Sequence, residues 1–173
     1  MNWIWVVADR TDEDVELVKE YDLIGYQNLT EEQKQQWDNG MKGALNYSDL
    51  NRIENNIGCL AEKTLISLNI KTNWNYDDIF DLNNANRILV NIQKLCRRFR
   101  FSRQPSIPGA PLNDYRKINY IEELLHHMYA AVNRYELEPN FITVDDKEIE
   151  LRDSKLFACW IPPMVYNAII EGL

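Results

Sequence analysis

The sequence is poor in the residue types that build metal and redox sites. Of 173 residues, only three are cysteine and two are histidine. Cys59, Cys96 and Cys159 lie far apart among apolar neighbours, which predicts small buried side chains in a reducing compartment. His126 and His127 are adjacent, so on a helix their side chains point about 100° apart and are poorly placed to share a metal ion. We therefore expect no metal ion and no other cofactor.

Sequence patterns typical of enzymes are also lacking. There is no Ser-His-Asp pattern, no zinc motif and no glycine-rich phosphate loop, and the chain has only six glycines. With 27 acidic residues some carboxylates must lie close together, so proximity alone does not indicate a hydrolytic pair. We expect a protein that is not an enzyme and has no catalytic residues.

Long hydrophobic runs are missing as well. The N-terminal apolar run, residues 3–8, is followed at once by Asp9 and is preceded by no basic residue. It is too short and wrongly flanked for a membrane span or a signal peptide. The run predicts a short strand or a docking segment, in a protein made in a cytoplasm and without a membrane partner.

Positive charge is scarce, since the formal net charge is −8. Phosphate binding needs clustered Lys and Arg, so a nucleic-acid partner is disfavoured. The one basic cluster, residues 97–103, interleaves Arg with Phe and follows a predicted helix. We favour helix capping or ion pairing inside an assembly for this cluster; a DNA-packaging role remains the alternative.

What the sequence has in quantity is aromatic and helix-forming residues. Five Trp and nine Tyr favour a protein partner. The first helix is predicted over Thr11–Tyr21, with Thr11 as its cap. A capping-box pattern at residues 30–33 predicts the start of a second, polar helix, which Trp37 should anchor to the core.

One helix motif occurs three times, at intervals of 33–35 residues. Each copy reads Asn-x-Ile-x-x-x-aliphatic-x-x-aliphatic, which places the apolar residues on one helix face. The motif residues are Asn51, Ile53, Asn86, Ile88, Asn119 and Ile121. The Asn either bonds local backbone near the helix start or bridges neighbouring helices in the core. Chance similarity of three amphipathic helices is the alternative.

Polar residues cluster at the start of the first motif helix, where Asn51, Arg52 and Glu54 lie within four positions. They form either a recognition patch or a structural bridge whose charges pair with neighbours. We interpret them as structural, because the same Asn recurs in the other two motif helices.

The C-terminal part changes character. The Pro-rich stretch 105–111 predicts a loop, whereas 141–144 and 148–151 read as the strands of a hairpin. The predicted fold is therefore mainly α: a small helical bundle of three repeated helix motifs with connecting loops and a short C-terminal β-hairpin appendage. The predicted domains are a helical domain at residues 1–136 and a docking appendage at residues 137–173.

Aromatic and apolar residues near the two ends of the chain are the candidates for subunit contacts. Trp dominates interface energetics, and symmetric homo-oligomers are the commonest assemblies. The candidate interface residues are Trp3, Trp5, Trp160, Ile161 and Tyr166. Plain core packing is the alternative for each of them.

A resemblance adds a functional expectation. The most specific run spans residues 40–54 and contains Lys-Gly-Ala-x-Asn-x-x-Asp-Leu-Asn-Arg, from Lys42 to Arg52. Together with matches at residues 9–11, 29–32 and 119–122, it resembles tail-associated structural proteins of phages and prophages of Gram-positive gut bacteria, the Clostridia in particular. The resemblance covers roughly residues 9–135.

The resemblance implies a non-enzymatic virion component near the tail tip, baseplate or fibre attachment. Such a protein is made in the host bacterial cytoplasm, is located in the virion, and acts through assembly with copies of itself and with other phage tail proteins. The alternative is an intracellular binding module, encoded by a mobile element, that targets a host protein; an acidic surface fits this equally well.

Overall fold

The computed structural model describes the backbone of residues 1–99 and 105–137, and the side chains of residues 1–99 and 105–133. Within these ranges the chain forms five α-helices, one 3-10 turn at Tyr26–Asn28, and no strand. The helices are α1 Asp12–Ile24, α2 Glu31–Asp38, α3 Tyr47–Lys63, α4 Leu82–Arg98 and α5 Tyr115–Leu137. The predicted mainly helical fold is confirmed. The predicted hairpin and nearly all of the appendage at 137–173 lie outside the described residues.

The two short helices, α1 and α2, begin where their capping residues predict. The hydroxyl of Thr11 accepts from the backbone N–H of Asp14, and Thr30 accepts in the same way from Gln33. In both cases the second side chain accepts from the cap's own backbone N–H, which completes a capping box. Helix α1 runs three residues beyond the predicted end and stops at Gly25, whose φ of +77° suits glycine.

Three longer helices, α3 to α5, supply most of the core. Each places apolar side chains at i, i+4 and i+7, so one face of every helix is buried. The fully buried residues of these faces are Ile53, Ile57, Leu60, Ile88, Ile92, Leu95, Ile121, Leu125 and Met128. A second, smaller cluster of Tyr21, Leu29 and Met41 holds α1 and α2, and the half-buried Trp37 packs against it.

The motif asparagines occupy the same place in each helix. Asn51, Asn86 and Asn119 are each the fifth helical residue of α3, α4 and α5. The three motif helices therefore start in the same register relative to the repeated sequence.

Two segments without regular structure lie against these helices. Residues 1–10 bring Trp3 onto the core, and residues 66–74 bring Ile66, Leu68 and Ile70. The N-terminal run is not a strand in the described structure, because its backbone pairs with helix side chains and not with another strand. No helix in the described ranges is long and apolar enough to span a membrane.

Candidate functional site

Side-chain amides of the helices bond to the backbone of the two extended segments, residues 1–10 and residues 66–74. Asn51 donates from Nδ2 to the carbonyl of Trp74 at 2.9 Å and accepts from the Trp74 N–H at 2.8 Å. Asn119 donates to the carbonyl of Arg10 at 2.9 Å. Asn86, in contrast, is exposed and makes no side-chain hydrogen bond within the described residues. The same motif position thus holds backbone in two helices and faces solvent in the third.

Further asparagines outside the motif act in the same way. Asn56 accepts from the N–H of Ile4 at 2.9 Å and donates to the Ile4 carbonyl at 2.7 Å. Asn91 donates to the carbonyl of Asn69 at 2.6 Å. An amide that bonds both groups of one residue replaces the partner strand that extended backbone otherwise needs.

Glu54 of α3 is fully buried and has four donors around its carboxylate. Arg87 of α4 forms a two-point ion pair with it, at 2.6 Å for each nitrogen–oxygen distance. The indole Nε1 of Trp74 donates at 2.9 Å and the backbone N–H of Lys71 at 2.7 Å. A buried charge is tolerated only when it is paired and hydrogen-bonded in this way.

Glu122 of α5 is the second fully buried carboxylate. Arg52 of α3 donates to it from Nε at 3.0 Å and from Nη2 at 2.7 Å, and the N–H of Val7 donates at 2.8 Å. The buried Arg10 lies 3.4 Å from the same carboxylate and 2.9 Å from Asp49. Burial opposes the charged form of Arg52, but the hydrogen bonds and charges of Glu122 and Asp49 outweigh it and raise the pKa of Arg52.

These two ion pairs link the motif helices in a fixed direction. In each pair the arginine is the residue directly after the motif Asn, and the glutamate is the third residue after the motif Asn of another helix. Arg87 of α4 thus binds Glu54 of α3, and Arg52 of α3 binds Glu122 of α5. Helix α3 has both groups and lies in the middle. At the ends, α4 has Leu89 where α3 has Glu54, and α5 has Tyr120 where α3 has Arg52.

The ion pairs extend what the sequence indicated. Asn51, Arg52 and Glu54 do lie together, but Arg52 and Glu54 serve different helices. The roles of Arg87 and Glu122 were missed. The sequence did contain a signal for Glu122: two of the three motif copies read Asn-x-Ile-Glu, so the glutamate recurs together with the Asn and the Ile.

The candidate interface residues differ in their surroundings. Trp3 stacks on Tyr129 with ring centroids 4.0 Å apart. Trp5 is 74% exposed and meets His126 edge to face, with ring centroids 5.9 Å apart. Trp160, Ile161 and Tyr166 lie outside the described residues.

The cysteines in the described part of the chain are buried, and its potential metal ligands are dispersed. No group of three or more His, Cys, Asp or Glu residues there could hold a metal ion. Cys59 and Cys96 are buried and not in disulfides. Burial raises the pKa of Cys96 to about 12, which disfavours the reactive thiolate.

An open cleft of about 770 Å³ lies between the end of α2, the start of α3 and the loop at residues 74–80. Six of its lining residues are aromatic: Tyr26, Trp37, Tyr47, Trp74, Tyr76 and Phe80. Two carboxylates also line it; Asp38 accepts from the hydroxyl of Tyr26 at 2.9 Å, and Asp78 pairs with Lys71 at 2.9 Å. The hydrogen bond from Lys71 lowers the pKa of Asp78. Exposed aromatic rings beside anchored polar groups are typical of surfaces that contact a partner.

Comparison with protein-family models, curated proteins and solved structures returned no match for this chain.

Proposed function

We propose that the chain is a non-enzymatic structural protein of a phage tail or baseplate, which works by assembling with copies of itself and with other tail proteins in the virion. The proposal starts from the run at residues 40–54, which resembles proteins of that kind. The observation that carries it is that charged residues of this run bond to other parts of the same chain: Asp49 to Arg10, Arg52 to Glu122 and Glu54 to Arg87.

The contacts of this run are those of a scaffold. At the start of α3, the Asp49 carboxylate accepts from the backbone N–H of Asn46 at 3.0 Å, and Asp49 also meets Arg10. Arg52 and Glu54 carry the two interhelical ion pairs. Gly43 lies so close to Asp14 that a Cβ there would overlap the Asp14 carbonyl. These residues position helices, which supports a role that depends on shape and contact surfaces.

Particle composition tests the proposal. Particles are induced from a culture that carries the gene, purified on a density gradient, and analysed by quantitative mass spectrometry. We expect the protein at a small fixed ratio to the major tail proteins. If the protein is abundant in the lysate and absent from the particles, the proposal is wrong.

The aromatic cleft favours a second candidate, an intracellular binding module encoded by a mobile element that targets a host protein. Tyr76 is 85% exposed at the edge of the cleft and offers a large ring to a partner. Under this candidate, the tagged chain captures one host protein and Tyr76→Ala abolishes the capture. The half-buried Tyr115, whose hydroxyl donates to Asp12 on another surface, provides the control variant Tyr115→Phe.

A further inference from the structure

Two helices of opposite charge expose apolar residues that none of the described residues covers. Helix α4 has four basic residues and no acidic one, whereas α1 has six acidic residues and one lysine. Leu23 on α1 is 88% exposed and Val90 on α4 is 45% exposed. Because both faces are open to solvent in the same chain, they do not cover each other within it.

The exposed face of α4 is defined by helical spacing. Leu82, Asn86 and Val90 follow each other at i, i+4 and i+8, and Arg97 continues the same face with Lys94 beside it. Lys94 and Arg97 are exposed and form no ion pair within the described ranges. The other two basic residues are engaged, since Arg87 pairs with Glu54 and Arg98 donates to the carbonyl of Thr64 at 3.2 Å.

The exposed face of α1 is its counterpart. Glu13, Glu16, Glu20 and Leu23 share one side of this helix and are exposed. Glu13 and Glu20 have no ion pair in the described structure, and Glu16 has only the exposed Lys19 at 2.7 Å. Exposed pairs of this kind contribute little to stability, so these glutamates remain available to a partner.

The spacing of charge and apolar residues matches when the two helices run antiparallel. Leu23 and Glu16 are seven residues apart on α1, and so are Val90 and Arg97 on α4, which is about 10 Å in each helix. With Leu23 against Val90, Glu20 faces Lys94 and Glu16 faces Arg97. Antiparallel packing also places the N-terminal ends of α1 and α4, which both carry partial positive charge, far from each other.

We infer that α1 of one copy packs antiparallel on α4 of a second copy. The interface is heterologous, because it joins two different faces, and so it extends to a ring or a filament. The inference deepens the proposed function and rests on its assembly role. In this interface the basic residues at the end of α4 bind the acidic helix α1 of a second copy of the protein.

Charge exchange on the full chain tests the interface. Sedimentation velocity at about 1–100 µM protein should show association that grows with concentration. The association should weaken between about 0.05 M and 0.5 M salt, because added ions screen exposed charges. The variants K94E/R97E and E16K/E20K should each weaken it about tenfold or more, since each sets like charges against each other.

Mixing the two variants provides the sharper result. K94E/R97E has two acidic faces and E16K/E20K has two basic faces, so an equimolar mixture should recover the association that neither shows alone. The variant E32K/E123K makes the same charge change as E16K/E20K, at exposed positions on α2 and α5, and should associate as the parent does. Thermal melts check that every variant remains folded.

Three results would overturn the inference. One is a parent chain that stays monomeric at low salt across this range. Another is an assembly that both charge variants leave unchanged. The third is binding of duplex DNA by the parent chain that K94E/R97E abolishes, which would make α4 a nucleic-acid surface. None of these bears on particle composition, so absence of the protein from purified particles remains the separate result that contradicts the proposed function.

Discussion

Glu54 and Glu122 occupy the same position of one helix motif, and each binds a backbone N–H of a different extended segment. Glu54 accepts from Lys71 and Glu122 accepts from Val7, while an arginine of a neighbouring motif helix neutralises each carboxylate. The motif therefore does two things at once: its isoleucine builds the core, and its glutamate fixes a segment that has no strand partner.

The Glu54–Arg87 pair should be costly to break from one side only. Glu54→Ala leaves a half-buried guanidinium and the Trp74 indole N–H without their acceptor, so we expect the free energy of unfolding to fall by about 3–5 kcal/mol. Urea denaturation of Glu54→Ala, Arg87→Met and the double variant measures this. The double variant should lose clearly less free energy of unfolding than the two single variants lose when their losses are added together. Simple additivity would show that the two residues do not act as a pair.

Asn56 should control the N-terminal segment. Asn56→Leu removes both hydrogen bonds to Ile4, so we expect faster hydrogen exchange of the Ile4 amide and a loss of about 1–3 kcal/mol in stability. The Lys71 amide, which Glu54 binds, should stay protected. The control is Asn55→Ala, because Asn55 bonds the carbonyl of Asn2 and, among the described residues, makes no bond to Ile4. Unchanged exchange at Ile4 in the Asn56 variant would refute this role.

Gly43 should tolerate no side chain. Its neighbour is the backbone of Asp14, which cannot move aside as a flexible side chain can. We expect Gly43→Ala to lower the free energy of unfolding by about 1–3 kcal/mol. Gly109→Ala is the matched control, because nothing lies within 4 Å of a Cβ at that position. Equal denaturation midpoints for the two variants would contradict this packing.

Asp81 should make the stability of α4 depend on pH. It caps α4, and the hydrogen bond from the Asn84 backbone N–H lowers the pKa of Asp81 below 3.8. When folding lowers the pKa of a carboxyl, the ionised group stabilises the folded protein fully at any pH above its pKa in the unfolded chain. This stabilisation is lost as the pH falls through its pKa in the folded protein. The difference in stability between the parent and Asp81→Ala should therefore be greatest above pH 4 and shrink below it.

The variant Asp81→Ser separates charge from capping. Serine also caps a helix but does not titrate, so Asp81→Ser should remain more stable than Asp81→Ala at low pH. Denaturation midpoints of the three proteins between about pH 2.5 and pH 7 measure this, a range that spans the ordinary carboxyl pKa. A parent-to-alanine difference that is independent of pH would contradict the assignment.

Local patterns in the sequence were enough for the helices and the core. Thr11 and Thr30 mark helix starts by short-range chemistry, and Ile53, Ile88 and Ile121 follow a helical period, so neighbouring residues determine both features. The mainly helical class followed from them.

Long-range placement was beyond the sequence. The Val7 N–H and Glu122 are 115 residues apart, and nothing local to either indicates that they meet. The motif asparagines show the same limit, since Asn51 and Asn86 share one motif but only Asn51 meets a backbone segment. The aromatic cleft joins Tyr26 to Tyr76 through separate loops, which no periodicity describes.

The placement of the first ten residues also sets an order of events during synthesis. Both residues of the ion pair between Arg87 and Glu54 have been made once the ribosome has passed α4, so α3 and α4 can form their shared contacts before α5 exists. Val7 and Arg10 are made more than a hundred residues before Glu122, whose carboxylate both of them contact. Residues 1–10 must therefore wait for α5 before all of their contacts can form.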